Sequence, residues 1–151
     1  MQPEKEKLAR KFGASDFINA GACDPVEAVG ALTGGGVNHA FEVVGVKSTS
    51  EQAIKMVRKG GTAYMIGVPR PNSAIAVDAL VDLLGNQATV KGVYMGSTNI
   101  KHDIPTYADL YLRGRFNLDD LISREIDIAE INDAYQELKK GAIARSVITS
   151  F

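Results

Sequence analysis

The stretch that decides the fold is residues 37–66, VNHAFEVVGVKSTSEQAIKMVRKGGTAYMI. It opens with an apolar run of strand length at 37–44. Ser48 then predicts a helix start, because a glutamate stands three residues later, at the spacing of a reciprocal cap. The glycines at 60–61 end that predicted helix, and a second strand-like run follows at 62–66. Strand, helix and strand in this order predict a crossover unit on a parallel sheet.

The same alternation continues on both sides of this stretch. Several runs are apolar at consecutive positions, so we expect strands that are covered on both faces. The further strand-length runs lie at 17–18, 89–95 and 146–149. The predicted fold class is therefore α/β.

Helix boundaries carry recognisable chemistry. Asp24 and Asp127 each precede a glutamate by three residues, which predicts two more reciprocal caps. A run from Pro3 ends at Gly13, and the last predicted helix ends at Gly141. In that last helix one apolar stripe recurs at helical spacing. Its members are Ile131, Ala134, Tyr135 and Leu138.

Composition excludes several classes of protein. The 151 residues are 45% hydrophobic and 23% charged, which argues against a disordered or fibrous chain. Seventeen basic and eighteen acidic residues give a net charge of −1, so we expect no nucleic-acid partner. The most apolar stretch, 74–85, is interrupted by Asp78 and Asp82 and is too short for a bilayer. With a polar start, we expect a cytoplasmic protein that has no membrane partner.

The residue types that usually carry chemistry are scattered. The three glycines at 34–36 lack the spacing of a dinucleotide fingerprint and are interpreted as a flexible turn from helix to strand. Cys23, His39 and His102 have no short ligand spacing between them, so no metal site is predicted. Cys23 precedes a capped helix, but no partner base is specified. The sequence predicts no catalytic residue.

Seven short segments, taken together and in order, resemble the medium-chain, zinc-type alcohol dehydrogenases. They are KEKLARKFGASDFIN at 5–19, GGV at 35–37, FEVVG at 41–45, GGT at 60–62, IGVP at 66–69, KG at 91–92 and GAIARSV at 141–147. Each segment is weak alone, but the combination is specific and covers essentially the whole chain.

The resemblance implies a C-terminal part of such an enzyme. Residues 1–94 would be the remainder of an NAD(P)-binding Rossmann-like domain, and residues 95–151 would complete the catalytic domain. The doubly wound parallel sheet would lack its first two strands and the Gly-rich turn, and an α+β segment would follow. In the strand order 3-2-1-4-5-6 the run at 17–18 loses its neighbours. We therefore expect that run to pair elsewhere or to fray, and the chain to self-associate.

Site residues follow from the same resemblance, position by position. Lys5 would contact the adenosine ribose, and Arg145 would pair with the coenzyme pyrophosphate. The nicotinamide side would be lined by Val44, Ile66, Gly67, Val68, Val93 and Met95. The zinc of the family has no ligands here, so the metal-binding set is empty.

The implied activity is hydride transfer between an alcohol or aldehyde and NAD, with NAD favoured over NADP on resemblance alone. We expect the isolated chain to be catalytically inactive and to bind NAD weakly or not at all. The alternative is a non-catalytic remnant that dimerises through an edge strand at 89–93. A standalone nucleotide-binding domain is disfavoured, because no phosphate-binding turn is present.

Overall fold

The computed structural model describes residues 3–139, 141 and 145–151. These residues form two compact units. The first is Gly13–Thr98, and the second joins the described residues before Gly13 to Asn99–Phe151. The assignment of residues 1–94 and 95–151 to a coenzyme-binding and a catalytic domain stays a prediction.

The elements alternate along the chain as expected for an α/β protein. The helices are α1 Pro3–Lys11, α2 Pro25–Thr33, α3 Lys47–Met56, α4 Ile100–Leu112 and α5 Ile131–Lys139, with a π-helix at Ala79–Gly85 and 3₁₀ turns at Met95–Ser97, Asp119–Leu121 and Ile128–Glu130. The strands are β1 Val37–Glu42, β2 Val57–Met65, β3 Thr89–Gly92, β4 Ile122–Asp127 and β5 Arg145–Ser150. Among the described residues, none of the helices has both the length and the apolar character that a bilayer crossing requires.

A parallel sheet forms the centre of the first unit. Its order is β1-β2-β3, and both pairings are parallel, which confirms the predicted fold class. Ala40 lies opposite Ala63, and Tyr64 lies opposite Lys91. β2 begins five residues before the predicted position, and a register shift between Val37 and His39 absorbs the extra length. The crossover predicted from residues 37–66 is therefore present.

The core of this unit lies between α3 and one face of the sheet. Its buried residues are Ala40, Ala53, Ile54, Val57 and Ala63, of which Ile54 is the largest. Small side chains let the helix approach the strands closely, but they bury little apolar area.

Coverage of the strands on both faces was expected, and this expectation is wrong. Phe41 is 64% exposed and stacks on Tyr64 at a ring distance of 4.8 Å, while His39 Nδ1 lies 3.3 Å from the Tyr64 hydroxyl. Side chains of a strand alternate between faces, so these three rings lie opposite the α3 side, to which Ala40 belongs. One crossover helix can cover only one side of a sheet.

The run at 17–18 forms no strand, which is the frayed alternative of the two expected for it without its neighbours. Residues 16–19 adopt no regular secondary structure, although Phe17 and Ile18 are partly buried. Two consecutive extended residues gain little stability unless a neighbouring strand forms backbone hydrogen bonds with them. Among the described strands, β1 pairs only with β2. Residues 16–19 instead lie beside α2, where Ile18 and Val29 line one groove.

Of the three predicted reciprocal caps, one is complete and one is present in its aspartate half only. Asp24 Oδ1 accepts hydrogen bonds from the N–H of Val26 at 2.8 Å and from the next residue at 3.2 Å. Asp127 Oδ1 accepts from Ala129 N–H at 2.8 Å, and Glu130 accepts from the Asp127 N–H at 3.0 Å. The second pair is the reciprocal arrangement that the spacing predicts.

The cap predicted at Ser48 is wrong. α3 starts at Lys47 behind Val46, with no side-chain cap at that position, and it ends at Met56 rather than at the glycines 60–61. Glu51, the expected partner of Ser48, instead accepts a hydrogen bond from the N–H of Ala76 at 2.7 Å. A long-range backbone donor has replaced the local cap.

The second unit is built around the parallel pair β4 and β5. Ile126 of β4 is buried, whereas Tyr135 and Leu138 of the predicted apolar stripe are exposed on a groove of about 640 Å³. The sequence predicts that this helix ends at Gly141. The described helix reaches Lys139, and residue 140 lies outside the described residues. The predicted strand at 146–149 is confirmed within β5.

Candidate functional site

The carboxyl ends of three parallel strands carry six of the eight predicted site residues. In α/β sheets this edge is where ligands bind. We call the set the carboxyl-edge cluster. It consists of Val44 after β1, Ile66, Gly67 and Val68 after β2, and Val93 and Met95 after β3.

Strands that end earlier than predicted place these residues in loops. β1 ends at Glu42 rather than at residue 44, and β3 ends at Gly92 rather than at residue 95. Met95 begins a 3₁₀ turn with a positive φ of 48°. Val93 stays tied to the sheet, because its N–H donates to the Met65 carbonyl at 2.9 Å.

A buried carboxylate organises the first of these loops. Glu42 is 4% exposed, and its Oε1 accepts hydrogen bonds from Val44 N–H, Gly45 N–H and the Thr49 hydroxyl, each at 2.8 Å. A buried acceptor is stable only when donors satisfy it. Glu42 therefore fixes the turn after β1 and joins it to α3.

The second loop packs directly against the first. The Glu42 carbonyl accepts from the N–H of Ile66 at 2.9 Å and of Gly67 at 3.0 Å. A Cβ on Gly67 would lie 2.7 Å from the Gly45 Cα, and one on Gly45 would lie 2.5 Å from the Val68 carbonyl oxygen. Gly45 also has a φ of +78°. Only glycine at both positions allows the two backbones to come this close.

The side chains of the carboxyl-edge cluster carry no ionisable group. Val44, Val68 and Met95 are 64%, 86% and 68% exposed and offer an apolar surface. The N–H groups of Ile66 and Gly67 are already used within the sheet edge. These two N–H groups are therefore not available as donors to a ligand.

Lys5 and Arg145 lie in the second unit. Lys5 is on α1, and its Nζ is 3.7 Å from the Cβ position of Gly141. Arg145 begins β5 and lines the groove beside α5. In the same groove Arg124 pairs with the carboxylates of Glu130 and Glu137. The structure thus gathers six predicted residues in the first unit and the two cationic ones in the second.

Displaced pKa values mark structural contacts of the second unit. The Lys11 ammonium, 2.6 Å from the carboxylate, lowers the pKa of Asp120. A hydrogen bond to Asp119 raises the pKa of the Tyr111 hydroxyl, and backbone donation by Ala129 lowers the pKa of Asp127. These groups belong to one ion pair, one tyrosine–carboxylate hydrogen bond and one helix cap, and none of them is in the carboxyl-edge cluster.

The described residues do not fit a zinc ion. Within residues 3–139, 141 and 145–151, no three His, Cys, Asp or Glu side chains come close enough to hold a metal. Cys23 is exposed, with its thiol 3.6 Å from the Asn19 carbonyl, and His39 contacts aromatic rings.

One residue of this site was missed in the sequence. Glu42 lies inside the FEVVG segment, but a lone acid at the end of an apolar strand gives no local signal of its three donors. Its role depends on Thr49, seven residues away, and on a glycine turn that folds back onto it.

Known proteins of one family are similar to this chain in sequence and in structure. A family profile described as zinc-binding dehydrogenase matches residues 1–113. Alcohol dehydrogenase-like 5 of Arabidopsis thaliana is 34% identical over 98% of this chain and 39% of its own length. The crystal structure of benzyl alcohol dehydrogenase from Acinetobacter calcoaceticus superposes with a TM-score of 0.89 at 32% identity, over 96% of this chain and 40% of that one.

A third similar structure carries a coenzyme. A protein described as a zinc-binding dehydrogenase from Sinorhizobium meliloti 1021, solved with NADP bound, gives a TM-score of 0.78 at 26% identity, over 99% of this chain and 41% of that one. The chain thus spans about 40% of the length of the relatives it matches.

Proposed function

Because the chain belongs to the zinc-binding dehydrogenase family of oxidoreductases, we propose that it forms the nicotinamide-facing part of a coenzyme site. The whole enzyme would transfer hydride between an alcohol or aldehyde and NAD. The observation that carries this proposal is the carboxyl-edge cluster, in which three consecutive parallel strands end in loops with apolar side chains.

The chain's own residues would bind and orient the ring. Val44, Val68 and Met95 would exclude water from one face of it. The carbonyls of Ile66 and Gly67 would accept from the carboxamide NH₂, because their N–H groups are already used. The nicotinamide, when bound, supplies the hydride acceptor.

For Lys5 and Arg145, coenzyme-binding roles are proposed on resemblance alone. An arginine presents a planar fork of donors that matches phosphate oxygens. Arg145 would serve the pyrophosphate, and Lys5 would serve the adenosine ribose. NAD is proposed in preference to NADP on resemblance alone, and the Sinorhizobium meliloti structure has NADP bound.

We propose that this polypeptide alone does not oxidise alcohols. Among the described residues, no group of side chains could hold a metal ion. The side chains of the carboxyl-edge cluster carry no ionisable group. No catalytic step is therefore assigned to this chain. Purified chain with NAD and benzyl alcohol should form no NADH above a blank, and turnover without an added partner would overturn this proposal.

Weak ring binding is measurable by saturation-transfer NMR with nicotinamide mononucleotide. The wild-type chain should transfer saturation to the ring protons, whereas calorimetry with NADH should show no saturable heat at micromolar concentration. Val68→Asp should abolish the transfer, because a carboxylate would replace an apolar contact. Val81→Asp is the matched control, since Val81 is 60% exposed on the π-helix of the same unit. Equal loss in both variants, or no transfer to wild type, would refute the proposal.

A second candidate function is dimerisation through β3. This strand ends the sheet order, and all four of its residues are exposed. An exposed edge can pair with another strand without any active site. The Val93 N–H points to β2, and alternate residues of a strand point to opposite sides, so the N–H groups of Val90 and Gly92 face outward.

The outward donors give a specific test of that candidate. Val90→Pro removes an outward N–H and leaves the β2 ladder intact, so it should convert a dimer to a monomer in sedimentation velocity. Val90→Thr keeps both the N–H and the strand preference, and it should still dimerise. A wild-type chain that is monomeric at tens of micromolar would contradict the candidate.

A further inference from the structure

Glu42 is a buried ionisable side chain to which the proposed coenzyme site assigns no role. We infer that it is a positioning residue, which holds the loops after β1 and β2 in the shape that receives a planar ring. This inference rests on the proposed function, because the ring in question is the nicotinamide. It assigns to Glu42 no contact with the ligand.

The side chain holds one loop and the start of a helix. A single oxygen of Glu42 receives hydrogen bonds from two successive backbone N–H groups, of Val44 and Gly45, and from the Thr49 hydroxyl. Hydrogen bonds to a carboxylate are roughly twice as strong as neutral ones. Because its N–H is held by Glu42, the backbone of Val44 is fixed, and so is the direction in which the Val44 side chain leaves it.

The backbone of the same residue holds the second loop. The Glu42 carbonyl receives the N–H groups of Ile66 and Gly67, and the carboxylate lies 2.8 Å from the Cβ position of Gly67. If Glu42 moved, the loop after β1 and the loop after β2 would therefore both lose hydrogen bonds. The glycine-to-glycine contact between the loops leaves little room for a second arrangement.

The burial of Glu42 explains why a neutral substitute should fail in part. Glu42 is 4% exposed and Gly45 is buried, so the Gly45 N–H has few alternative acceptors. Leucine removes the acceptor at similar volume, so the buried Gly45 N–H would be left without a partner. Glutamine keeps one acceptor oxygen but loses the charge, so its effect should be intermediate.

The test combines two measurements on the intact 151-residue chain. Amide hydrogen exchange at Val44 and Gly45 should speed up about tenfold or more in Glu42→Leu, the equivalent of at least one lost hydrogen bond. Saturation transfer to the ring of nicotinamide mononucleotide should be lost in the same variant. Glu42→Gln should recover part of both signals. Ala63, which is fully buried, reports whether the sheet remains folded.

Asp82→Leu is the matched control. Asp82 is the second buried carboxylate of this unit, and it accepts from the Asp78 N–H at 3.0 Å, outside the carboxyl-edge cluster. Its loss should leave exchange at Val44 and Gly45 unchanged. If Glu42→Leu fails to fold, Thr49→Val removes one donor with little change in shape and should give a smaller effect of the same sign.

The outcomes separate this inference from the proposed function. Unchanged exchange at Val44 in Glu42→Leu overturns the inference, and so does faster exchange with undiminished transfer to the ring. Both leave the proposed function standing. Absence of transfer to the wild-type chain overturns the proposed function, and the inference falls with it. Joint loss in Glu42→Leu, with partial recovery in Glu42→Gln, establishes it.

Discussion

Gly67→Ala should destabilise the first unit because the space for a methyl group is already occupied by backbone. The new Cβ would lie 2.7 Å from the Gly45 Cα and 2.8 Å from a Glu42 carboxylate oxygen, whereas an ordinary contact begins near 3.4 Å. The first neighbour is a backbone atom, and the second is Oε2 of a carboxylate whose other oxygen, Oε1, receives three donors, so neither moves away freely. Overpacking of this kind costs about 1–3 kcal/mol, and the backbone clash favours the upper end.

A matched substitution separates the clash from the chemistry of adding a methyl group. Gly30 lies inside α2, and a Cβ there would meet nothing within 4 Å. Gly30→Ala should therefore stabilise by roughly 0.5–1 kcal/mol through helix preference. Urea unfolding followed at the Ala63 amide reads the first unit by itself. A free energy of unfolding for Gly67→Ala within about 0.5 kcal/mol of wild type would refute the packing of the two loops.

Two further predictions concern the second unit and its carboxylates. Donation by the Ala129 N–H, and then by the Ser150 hydroxyl, lowers the pKa of Asp127, so its stabilising contribution is complete above the unfolded value near 3.8 and is lost as the pH falls through the lower folded value. Asp127→Asn should make the thermal midpoint less dependent on pH below about pH 4, and an unchanged slope would contradict this. Lys11→Met should raise the pKa of Asp120 toward its ordinary value, as read from the carboxyl carbon shift, and an unmoved titration would show that the ion pair does not form.

Local signals predicted the parts of the fold that depend on local chemistry. The cap at Asp127 forms because both of its partners lie within three residues. The cap at Ser48 does not form because α3 already begins at Lys47, and Glu51 instead accepts from the distant Ala76 N–H, which no local pattern reveals. β4 escaped prediction because Ile122–Asp127 mixes charged and apolar residues without a clean alternation.

The candidate site also has parts that the sequence predicts and parts that it does not. The turn after β2 was identified by resemblance, and the structure puts it beside the turn after β1. Glu42 was missed because an acid at the end of an apolar strand has no recognised capping pattern, although Val44 and Gly45 follow it directly and Thr49 lies only seven residues away. Exposure of Phe41 was missed because a consecutive apolar run is typical of a strand with two covered faces.

Three of the five core residues described above are alanines, which sets the calorimetric behaviour of the first unit. The heat capacity of unfolding follows the apolar surface that becomes hydrated, and alanine exposes little of it. We expect a broad, shallow melting endotherm, with an unfolding enthalpy below the usual figure of about 0.7 kcal/mol per residue. On cooling, such a flat stability curve would change little, and ice-cold storage should leave the sheet intact.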